Sequence, residues 1–516
     1  MATAIGTRLA GWCRSGVAAG ATAATAAAAA AWVLPRPSVH AEAGRPSPPP
    51  SSAAPTGAAA AAAGAAAASA AAARGDRRAA ASSPPLPAFP TVVAGWGANL
   101  AGQLGVGHER SAGRPTPLCL AHPSSPITGL AAGPATSAAL TADGRVYTCG
   151  CGAYGATGHG DDTNLNIPRE VVWVSTGSGG SGGAPVGGAP AQSRIVAVAL
   201  GGTHTLLVDA AGVLYTCGRA LPAGHGGTSA VLSPTALSLP DGAGSRVVAV
   251  AAGRNHCLAV DDLGGVYAWG AGYDGALGLG TKVDARTPTR VPLTPVAGGG
   301  GRDGSPPVVT AAAAGRDFSL LLTATGRVLS AGCDDSGQLG VGRGHPSRYV
   351  RSFGPLAGPI GDATIIAVAA GDSHGLALDA DGQVWAWGAG ADGSLGDGQR
   401  GSDAPLARRV EGIDGRVVAV DAGGGHSAAL TDTGVLYLWG RGRDGQLGRA
   451  DSGREGQGVG ASGGQAAVLA SAAAYALTPV ALTGVGEVTA MALGGDHTLA
   501  LLRADGEEGG ADARRV

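Results

Sequence analysis

Short runs of apolar residues, separated by glycine turns, recur along most of the chain. "VVAVAAG" and "HSAALT" have the length and apolar spacing of strands, and a turn such as "ADG" or "DTG" precedes "VYAWG" or "VLYLWG". Asp-Gly and Thr-Gly supply the positive φ that a tight hairpin needs. Because a "DGQLG" segment then closes the unit, the pattern predicts three or four short β-strands per unit.

The unit occurs seven times. One position, three residues after a glycine, marks the same place in each copy, and consecutive marker positions are 52 to 71 residues apart. The residues at this marker position are Thr136, His204, His256, Phe318, His374, His426 and His497. A core unit of about fifty residues, lengthened by insertions in some copies, accounts for this spacing. Repeated units of short strands are typical of β-propeller blades.

The two ends of the repeat region each hold part of one unit. Residues 487–506 supply the first two strands of a seventh unit, whereas residues 91–107 supply a third strand and its glycine turn. Joining them closes the ring without a free strand edge. The sequence therefore predicts an all-β, seven-bladed β-propeller over residues 91–505, with the last blade closed by both termini and a charged tail at 506–516.

The repeated motif resembles a known family. "AGDSH", "DADGQVWAWG" and "GSLG", all within residues 370–396, are similar to the regulator of chromosome condensation repeat, and the similarity covers about residues 91–505. The resemblance implies a seven-bladed propeller. Members of the family include the nuclear exchange factor for the Ran GTPase, the plant UV-B photoreceptor, and organellar proteins linked to ribosome biogenesis, RNA processing or respiratory-complex assembly.

The first 88 residues have a different composition. Up to Ala41 there is no acidic residue, and Arg8, Arg14 and Arg36 stand among mostly Ala, Gly, Thr and Ser. We interpret residues 1–42 as an organellar targeting segment. Residues 43–88 are rich in Pro, Ala and Ser, which predicts a disordered linker.

The composition of this segment is compatible with several cellular destinations. We expect import into the mitochondrion, with a chloroplast transit peptide as the alternative. Two weaker hypotheses are a secretory signal ending at "VHA" and an Ala-rich tail that is not imported. Residues 17–34 have about the length of a membrane span but are mostly alanine. We expect that these residues either associate the chain with the inner membrane as an anchor or are cleaved off with the targeting segment.

The charge balance argues against nucleic acid as a partner. The chain has 35 basic and 37 acidic residues, of which seven and two lie in residues 1–88. This leaves 28 basic and 35 acidic residues, or a net charge of −7, for residues 89–516. An acidic propeller without a basic stripe lacks the electrostatic footprint of a nucleic-acid binder, so we expect no direct DNA binding.

No set of catalytic residues stands out. The glycine-rich run at 177–188 is not followed by Gly-Lys-Ser/Thr, and the chain has one lysine, Lys282, so a phosphate-binding loop is not expected. We interpret this run as an inter-strand insertion, together with 297–307 and 451–474. The chain is therefore not predicted to be an enzyme or to bind a cofactor, with guanine-nucleotide exchange on a protein GTPase as the one open activity.

The cysteines do not form a zinc-binding pattern. Cys149 and Cys151 are the one close pair, and no Cys-x-x-Cys accompanies them. Cys149 and Cys217 stand where other units have Trp, which predicts buried packing thiols. No metal site is expected.

The histidines of the repeat share one position, so a common structural role in closing the turn is the first interpretation. In the exchange-factor relative, residues of this Gly-x-x-His turn line the face that engages the GTPase. The resemblance therefore implies a partner-binding face made of Asn255, His256, Asp372, His374, His426, Asp496 and His497. Thr136 and Phe318 depart from the pattern, and the projecting wedge of the nuclear factor has no counterpart, so specific exchange on Ran is not expected.

The tryptophans do not follow the photoreceptor pattern. There the turn reads Gly-Trp-Arg-His in several blades, whereas its second place here holds Gly202, Arg254, Asp372, Gly424 and Gly495. Trp96, Trp269, Trp387 and Trp439 lie instead in the third strand, where core packing is expected. UV-B sensing is therefore not predicted.

These observations lead to three functional hypotheses. The first is an organellar, mitochondrial protein-interaction scaffold that serves assembly or maturation of a mitochondrial complex. The alternative is a guanine-nucleotide exchange factor for an organellar GTPase, and a weaker alternative is a plastid RNA-processing accessory factor. The expected partners are other proteins, including a small or dynamin-like GTPase or a respiratory or ribosome assembly complex.

Overall fold

The computed structural model describes Trp32–Val33 and residues 91–503, with gaps at 121–122, 124, 173–192, 241–244, 296–304, 344–347 and 450–473. The predicted insertions lie mostly in these gaps. The predicted linker and charged tail, and all of the targeting segment except Trp32–Val33, lie outside the described residues. Within the described part of the chain, no helix is long and apolar enough to span a membrane.

The described residues form 29 strands. The strands of the first half are β1 (Trp32–Val33), β2 (Thr91–Gly97), β3 (Ala112–Pro117), β4 (Ile127–Ala132), β5 (Thr136–Thr141), β6 (Val146–Gly150), β7 (Leu165–Glu170), β8 (Ile195–Leu200), β9 (His204–Asp209), β10 (Leu214–Gly218), β11 (Val231–Leu237), β12 (Val247–Ala252), β13 (His256–Asp261), β14 (Val266–Gly270) and β15 (Ala285–Arg290). The strands of the second half are β16 (Val309–Ala314), β17 (Phe318–Thr323), β18 (Val328–Cys333), β19 (Tyr349–Pro355), β20 (Ile365–Ala370), β21 (His374–Asp379), β22 (Val384–Gly388), β23 (Ala404–Arg409), β24 (Val417–Ala422), β25 (His426–Thr431), β26 (Leu436–Arg441), β27 (Tyr475–Ala481), β28 (Val488–Leu493) and β29 (His497–Arg503). The helical segments are α1 (Ala220–Ala223) and the 3₁₀ turns Ala153–Gly155 and Pro359–Asp362.

The strands form seven antiparallel sheets, which we number as blades. Blades 1 to 6 are β4–β7, β8–β11, β12–β15, β16–β19, β20–β23 and β24–β27, each paired in chain order from its inner to its outer strand. Blade 3 gains a fifth strand because β1 pairs with the inner strand β12, with Trp32 opposite Val250 and Val33 opposite Ala249. A short part of the predicted targeting segment thus lies against the inner edge of a blade.

Blade 7 confirms the predicted closure. Its strand order is β28–β29–β2–β3, so the third strand comes from the start of the propeller region and the second from its end. β2 and β29 pair without interruption from Thr91 opposite Arg503 to Gly97 opposite His497. The ring is closed by backbone hydrogen bonds between segments that lie about 400 residues apart in the chain.

The hairpins between the second and third strands form for local reasons. Their glycines, such as Gly144 and Gly382, have φ of 87° and 84°, a region that favours glycine. In blade 5 the buried Asp379 accepts bonds at Oδ1 from the backbone N–H groups of Asp381 (3.0 Å) and Gln383 (2.9 Å). Its Oδ2 accepts the indole N–H of Trp385 at 2.9 Å. The carboxylate therefore fixes both the turn and the following strand.

The apolar core lies between neighbouring blades. Trp96, Trp269, Trp387 and Trp439 are fully buried, in agreement with the packing role expected from their position in the third strand. Each indole N–H also donates to a backbone carbonyl of the preceding blade, for example from Trp387 to Gln338 at 2.9 Å. Cys149 and Cys217 occupy the same position and are buried too, and burial raises the pKa of each thiol to about 12.

Candidate functional site

The turns that carry the predicted site residues lie together at one end of the ring. Strand direction alternates within each blade, so the turns between first and second strands share this end with the loops between third and fourth strands. We call this end the turn face. Its seven turns are 133–135, 201–203, 253–255, 315–317, 371–373, 423–425 and 494–496. Neighbouring turns are joined by backbone bonds such as Gly495 N–H to Gly133 O at 3.2 Å.

The first glycine of each turn is required by this close approach. A Cβ on Gly253 would lie 2.6 Å from the carbonyl oxygen of Gly315 in the next turn. The same Cβ would also collide with the imidazole of His256 in its own turn. The glycine therefore permits the turns to form a continuous ring with the imidazoles beneath them.

The repeat histidines are buried and reach into the next blade. In four of the five, Nε2 lies at hydrogen-bond distance from the hydroxyl oxygen of a Ser or Thr in the second strand of that blade. The pairs are His256 with Ser319 (2.9 Å), His374 with Ser427 (2.9 Å), His426 with Thr498 (3.1 Å) and His497 with Ser137 (2.9 Å). The last pair joins blade 7 to blade 1, so these contacts continue across the closure.

Three of these hydroxyls, those of Ser319, Ser427 and Thr498, also donate to a backbone carbonyl. Ser427 Oγ donates its proton to the carbonyl oxygen of Ser394 at 2.8 Å, so Oγ must accept from His374 Nε2–H. This fixes the Nε2-protonated tautomer of His374. The same carbonyl of Ser394 accepts the indole N–H of Trp439 at 2.8 Å. Imidazole, hydroxyl, carbonyl and indole thus form one cluster at the boundary between blades 5 and 6.

Two other blade boundaries lack the imidazole–hydroxyl contact. Phe318 has no ring nitrogen, and the residue in the next blade that would carry the hydroxyl is Gly375. His204 likewise faces a blade in which that position is Cys257, whose Sγ lies 3.3 Å from Pro222 O. The Phe318 and Gly375 boundary therefore lacks both the imidazole and the hydroxyl, whereas His204 keeps its imidazole and neither of its ring nitrogens has a hydrogen-bond partner among the described residues.

Burial keeps these imidazoles neutral. It lowers the pKa of His256, His374 and His497 to about 4 and that of His204 to about 3. The pKa of His426 is held well below its ordinary value, by burial first and then by the nearby Arg441 charge. At neutral pH the imidazoles can act as fixed hydrogen-bond donors inside the ring wall.

Two of the seven predicted site residues reach the surface clearly. Asn255 and Asp496 are half-buried on the turn face, whereas Asp372 is 6% exposed and the four imidazoles of the prediction lie beneath the turns. Asp496 forms an ion pair with Arg441, whose other neighbour is Asp392 at 3.9 Å. Burial raises the pKa of Asp496, and the Arg441 guanidinium opposes this rise. A binding role for this face stays a prediction.

A second group of residues on the same face was missed from sequence. Tyr273, at the tip of the blade 3 loop, is 54% exposed and lies beside Asp274 and Asp317. Burial and the charge of Asp317 raise the pKa of Asp274 to about 6. Arg316 pairs with Asp317 at 3.1 Å, and the positive charge of Arg254 also acts on Asp317. The signal was available, because loops after the third strand must lie at the same end as the histidine turns.

The chemistry of the turn face is that of a binding surface. Among the described residues, no group of three His, Cys, Asp or Glu side chains could hold a metal ion. The groups that reach solvent are an aromatic ring, an amide and ion-paired Arg and Asp side chains. Such groups suit contacts with another protein.

Comparison with known proteins agrees with this architecture. The profile described as RCC1-like domain matches residues 177–508, and regulator of chromosome condensation (RCC1) repeat profiles match residues 143–208 and 127–156. These matches and the seven-bladed ring define a propeller of the RCC1 type. The chain belongs to the regulator of chromosome condensation repeat family.

Relatives within the family differ in what they do. The chain is 29% identical to the ultraviolet-B receptor UVR8 of Arabidopsis thaliana, over 70% of this chain and 75% of the receptor. It is 29% identical to the mitochondrial RCC1 domain-containing protein RUG3 of the same plant, over 68% of this chain and 62% of RUG3. It is 38% identical to the mouse secretion-regulating guanine nucleotide exchange factor, over 46% of this chain and 50% of that protein.

A solved structure shows the same fold. Prp20p of Saccharomyces cerevisiae, a structure described together with its binding to Gsp1p and histones, superposes with a TM-score of 0.64. The alignment covers 81% of this chain and 93% of Prp20p at 21% sequence identity. At this identity the likeness concerns the fold alone.

Proposed function

We propose that the protein is a mitochondrial interaction scaffold that serves assembly or maturation of a mitochondrial complex. The observation that carries the proposal is the turn face, which offers an exposed aromatic ring and ion-paired charges on a rigid, closed ring. A scaffold needs a preorganised surface of this kind, since little freedom is then lost on binding. The mitochondrial relative RUG3 supports the location.

The location is tested with residues 1–90 fused to a fluorescent reporter. Arg8 and Arg14, without acidic residues nearby, are expected to direct the reporter to the mitochondrion. A matched fusion with both arginines replaced by Glu should stay in the cytosol. A reporter spread through cytosol and nucleus would end the organellar proposal, and plastid fluorescence would favour the RNA-processing alternative.

The scaffold role is tested with two variants of blade 3. Tyr273→Ala removes an exposed ring from the turn face, and Leu263→Ala removes a 76% exposed side chain from the hairpin at the opposite end. In cells that lack the protein, Tyr273→Ala should restore less assembled respiratory complex or mitochondrial ribosome than wild type on native gels. Leu263→Ala should restore the wild-type amount. Equal restoration by both variants would contradict a role for the turn face.

The second candidate is guanine-nucleotide exchange on an organellar GTPase. The mouse exchange factor favours it, because its 38% identity over 255 residues is higher than the 29% identity of the other two relatives, although their matches are longer. The test is release of a fluorescent GDP analogue from small and dynamin-like GTPases of the organelle. If the protein accelerates GDP release and Tyr273→Ala abolishes this acceleration, exchange activity is supported. If the release rates do not change, the exchange proposal fails and the scaffold proposal remains.

A further inference from the structure

The central channel of the ring is lined by the first strands of the seven blades. Each of these strands pairs on one side only within its four-stranded sheet, so its other edge faces the channel. An unpaired edge presents N–H and C=O groups to which a further strand can pair. The seven strands are apolar, and Asp421 in blade 6 is their one charged residue. The channel therefore suits an extended, uncharged segment.

The chain itself supplies such a segment at blade 3. β1 pairs with the channel edge of β12 in the antiparallel direction, with Trp32 opposite Val250 and Val33 opposite Ala249. β1 also lies beside β8 and β16, the first strands of blades 2 and 4. The segment is therefore inside the channel and not on the outside of the ring.

The exposure of the channel wall differs between blade 3 and the blades across the channel. Ala249 and Val250, the two residues opposite β1, are fully buried. The equivalent residues of blades 6 and 7, which lie opposite blade 3 in a ring of seven, are all half-buried. These are Ala419, Val420, Ala490 and Met491. The contrast agrees with a segment that covers one wall of the channel and leaves the opposite wall open.

The sequence around β1 fits this position. No charged residue stands between Arg14 and Arg36, so the segment brings no charge into the apolar channel, where an unpaired charge would be costly. Pro35 and Pro37 follow β1 and lack the backbone N–H that a longer pairing would need. Residues 34–90 connect β1 to blade 7. A flexible chain of this length has an end-to-end distance of roughly 40 Å, so the tethered segment can reach blade 3.

We propose that the central channel is the binding site of the chain's own segment around Trp32–Val33, which docks on blade 3 as an added strand. This segment belongs to the predicted targeting segment, so the docked strand withholds it from membranes and import receptors. The withholding rests on the proposed organellar location, whereas the docking does not. A reporter fusion that fails to reach an organelle would therefore end the location and leave the docking to be judged by its own tests.

Pairs of engineered cysteines in the full chain test the docking. Directly opposed residues of an antiparallel pair have Cα atoms about 4.5–5.5 Å apart, which a disulfide can bridge. The two variants are Trp32→Cys with Val250→Cys and Val33→Cys with Ala249→Cys. They include one closely spaced and one widely spaced pair, because the two kinds alternate along the strands. On oxidation with oxidised glutathione, at least one variant should form the disulfide, detected by mass spectrometry of its proteolytic fragments.

The matched controls place the second cysteine on the opposite wall of the channel. They are Trp32→Cys with Met491→Cys and Val33→Cys with Ala490→Cys, at positions that are more exposed than those of blade 3. All four variants carry Ser in place of Cys13, Cys119 and Cys151. Because only a docked strand brings residues 32 and 33 to the buried wall, the blade 3 variants should link and the controls should not. Equal linkage in both sets, or linkage in the controls alone, would overturn the docking.

A competition experiment tests the docking without any cysteine. The probe is a labelled peptide of residues 27–37, titrated onto the full chain by fluorescence polarisation. Trp32→Pro with Val33→Pro removes both N–H groups of β1 and frees the channel edge. This variant should bind the peptide at least about tenfold more tightly than wild type, in which the tethered copy competes at an effective concentration near millimolar.

Two controls accompany this titration. Thr22→Pro with Ala23→Pro leaves β1 intact and should bind the peptide as weakly as wild type does. A peptide methylated at the backbone nitrogens of its Trp and Val residues should bind neither chain, since it cannot pair with β12. Equal affinity of the peptide for wild type and for the Trp32→Pro, Val33→Pro variant would overturn the docking, as would undiminished binding of the methylated peptide.

The withholding is tested with vesicles of phosphatidylcholine and cardiolipin. The oxidised Val33→Cys, Ala249→Cys chain, or its Trp32→Cys, Val250→Cys counterpart if that pair links, should float with the vesicles much less than the same chain after reduction. Reduction releases the segment, so its uncharged residues become available to the bilayer. Equal flotation of the oxidised and reduced chains would overturn the withholding.

Discussion

At the scale of single residues, the blades are joined through imidazoles that titrate below neutral pH. His374 has a pKa of about 4 in the folded chain, against an ordinary value of 6.5. Between these values the unfolded chain binds more protons, so the stability that neutral His374 contributes is complete above pH 6.5 and is lost as the pH falls toward 4. Each such histidine contributes a slope of about 1.4 kcal/mol per pH unit in this window.

The natural Phe318 and Gly375 boundary provides a variant to test this. His374→Phe with Ser427→Gly places the same pair at the next blade boundary, between blades 5 and 6. The free energy of unfolding should then fall less steeply between pH 6.5 and pH 4, by about 1.4 kcal/mol per pH unit. Denaturant unfolding across this range measures the slope. Ser427→Ala keeps the imidazole and should keep the wild-type slope; a double variant with that same slope would contradict the prediction.

Asp421 should have the opposite pH dependence. It is buried in the inner strand of blade 6, where its Oδ2 accepts the N–H of Leu493 at 2.8 Å and burial raises its pKa to about 7. Above the ordinary value of 3.8 the folded chain holds the proton longer than the unfolded chain, so stability falls as the pH rises from about 4 to 7. The corresponding residues of the other blades are Ala131, Ala199, Ala251, Ala313, Ala369 and Ala492.

Asp421→Ala installs the residue found in the other six blades. It leaves the N–H of Leu493 without this acceptor, which costs about 1–3 kcal/mol at every pH. Because the carboxyl is gone, the difference in unfolding free energy between variant and wild type should move in favour of the variant from pH 4.5 to pH 7. Thermal or denaturant unfolding at both pH values measures it. A difference that does not change with pH would show that Asp421 does not titrate in this range.

At the scale of the element, the third strand anchors each blade to its predecessor. The ring of Trp387 fills the space beside Gly375 and Gly340 and donates to Gln338 O. Trp387→Ala removes this buried ring and should lower the free energy of unfolding by about 3–5 kcal/mol. Tyr273→Ala, on an exposed loop of the turn face, should change it by less than about 0.5 kcal/mol. Similar melting temperatures for the two variants would contradict the packing role of Trp387.

The strands differ in how well the sequence predicts them. The first three strands of each blade are apolar and are separated by turns that contain glycine, so periodicity identifies them. The fourth strand, such as Ala112–Pro117, is mostly exposed and contains proline, and the repeat pattern alone did not decide whether it exists. Its pairing depends on the bulge at the end of the third strand, which is a property of the folded sheet.

The candidate site is harder to predict from the sequence than the strands, because its contacts cross from one blade to the next. The contact of His374 with Ser427 joins residues 53 positions apart, and it follows from the rotation between blades, which a linear pattern does not contain. Asp372 looks like a surface residue in "AGDSH", but its backbone N–H meets Gly424 O of the next turn at 3.4 Å, and the side chain is buried there. The positions of the turns were predictable, and the exposure of each side chain was not.

At the scale of the whole molecule, stability depends on the closed ring. The apolar clusters lie between blades, so every blade needs both neighbours to bury its two faces. Blade 7 packs against blade 1 through Leu499 and Ala492 on one side and Leu130 and Ile127 on the other. Because its strands come from both ends of the propeller region, neither end can be removed without opening the ring.

Truncation after residue 480 therefore tests the closure directly. It removes β28, β29 and the last residue of β27, which leaves β2 paired with β3 alone and exposes the apolar faces of blades 1 and 6. The truncated chain should lose soluble monomer in size-exclusion chromatography with light scattering and should show no cooperative transition in calorimetry.

Deletion of residues 1–85 is the matched control, since it keeps all seven four-stranded sheets and removes only the two-residue pairing of β1 with β12. That chain should remain monomeric and melt cooperatively. A truncated chain that melts cooperatively at the wild-type temperature would mean that the six remaining blades are stable without closure, and the shared blade would then have no role in holding the ring together.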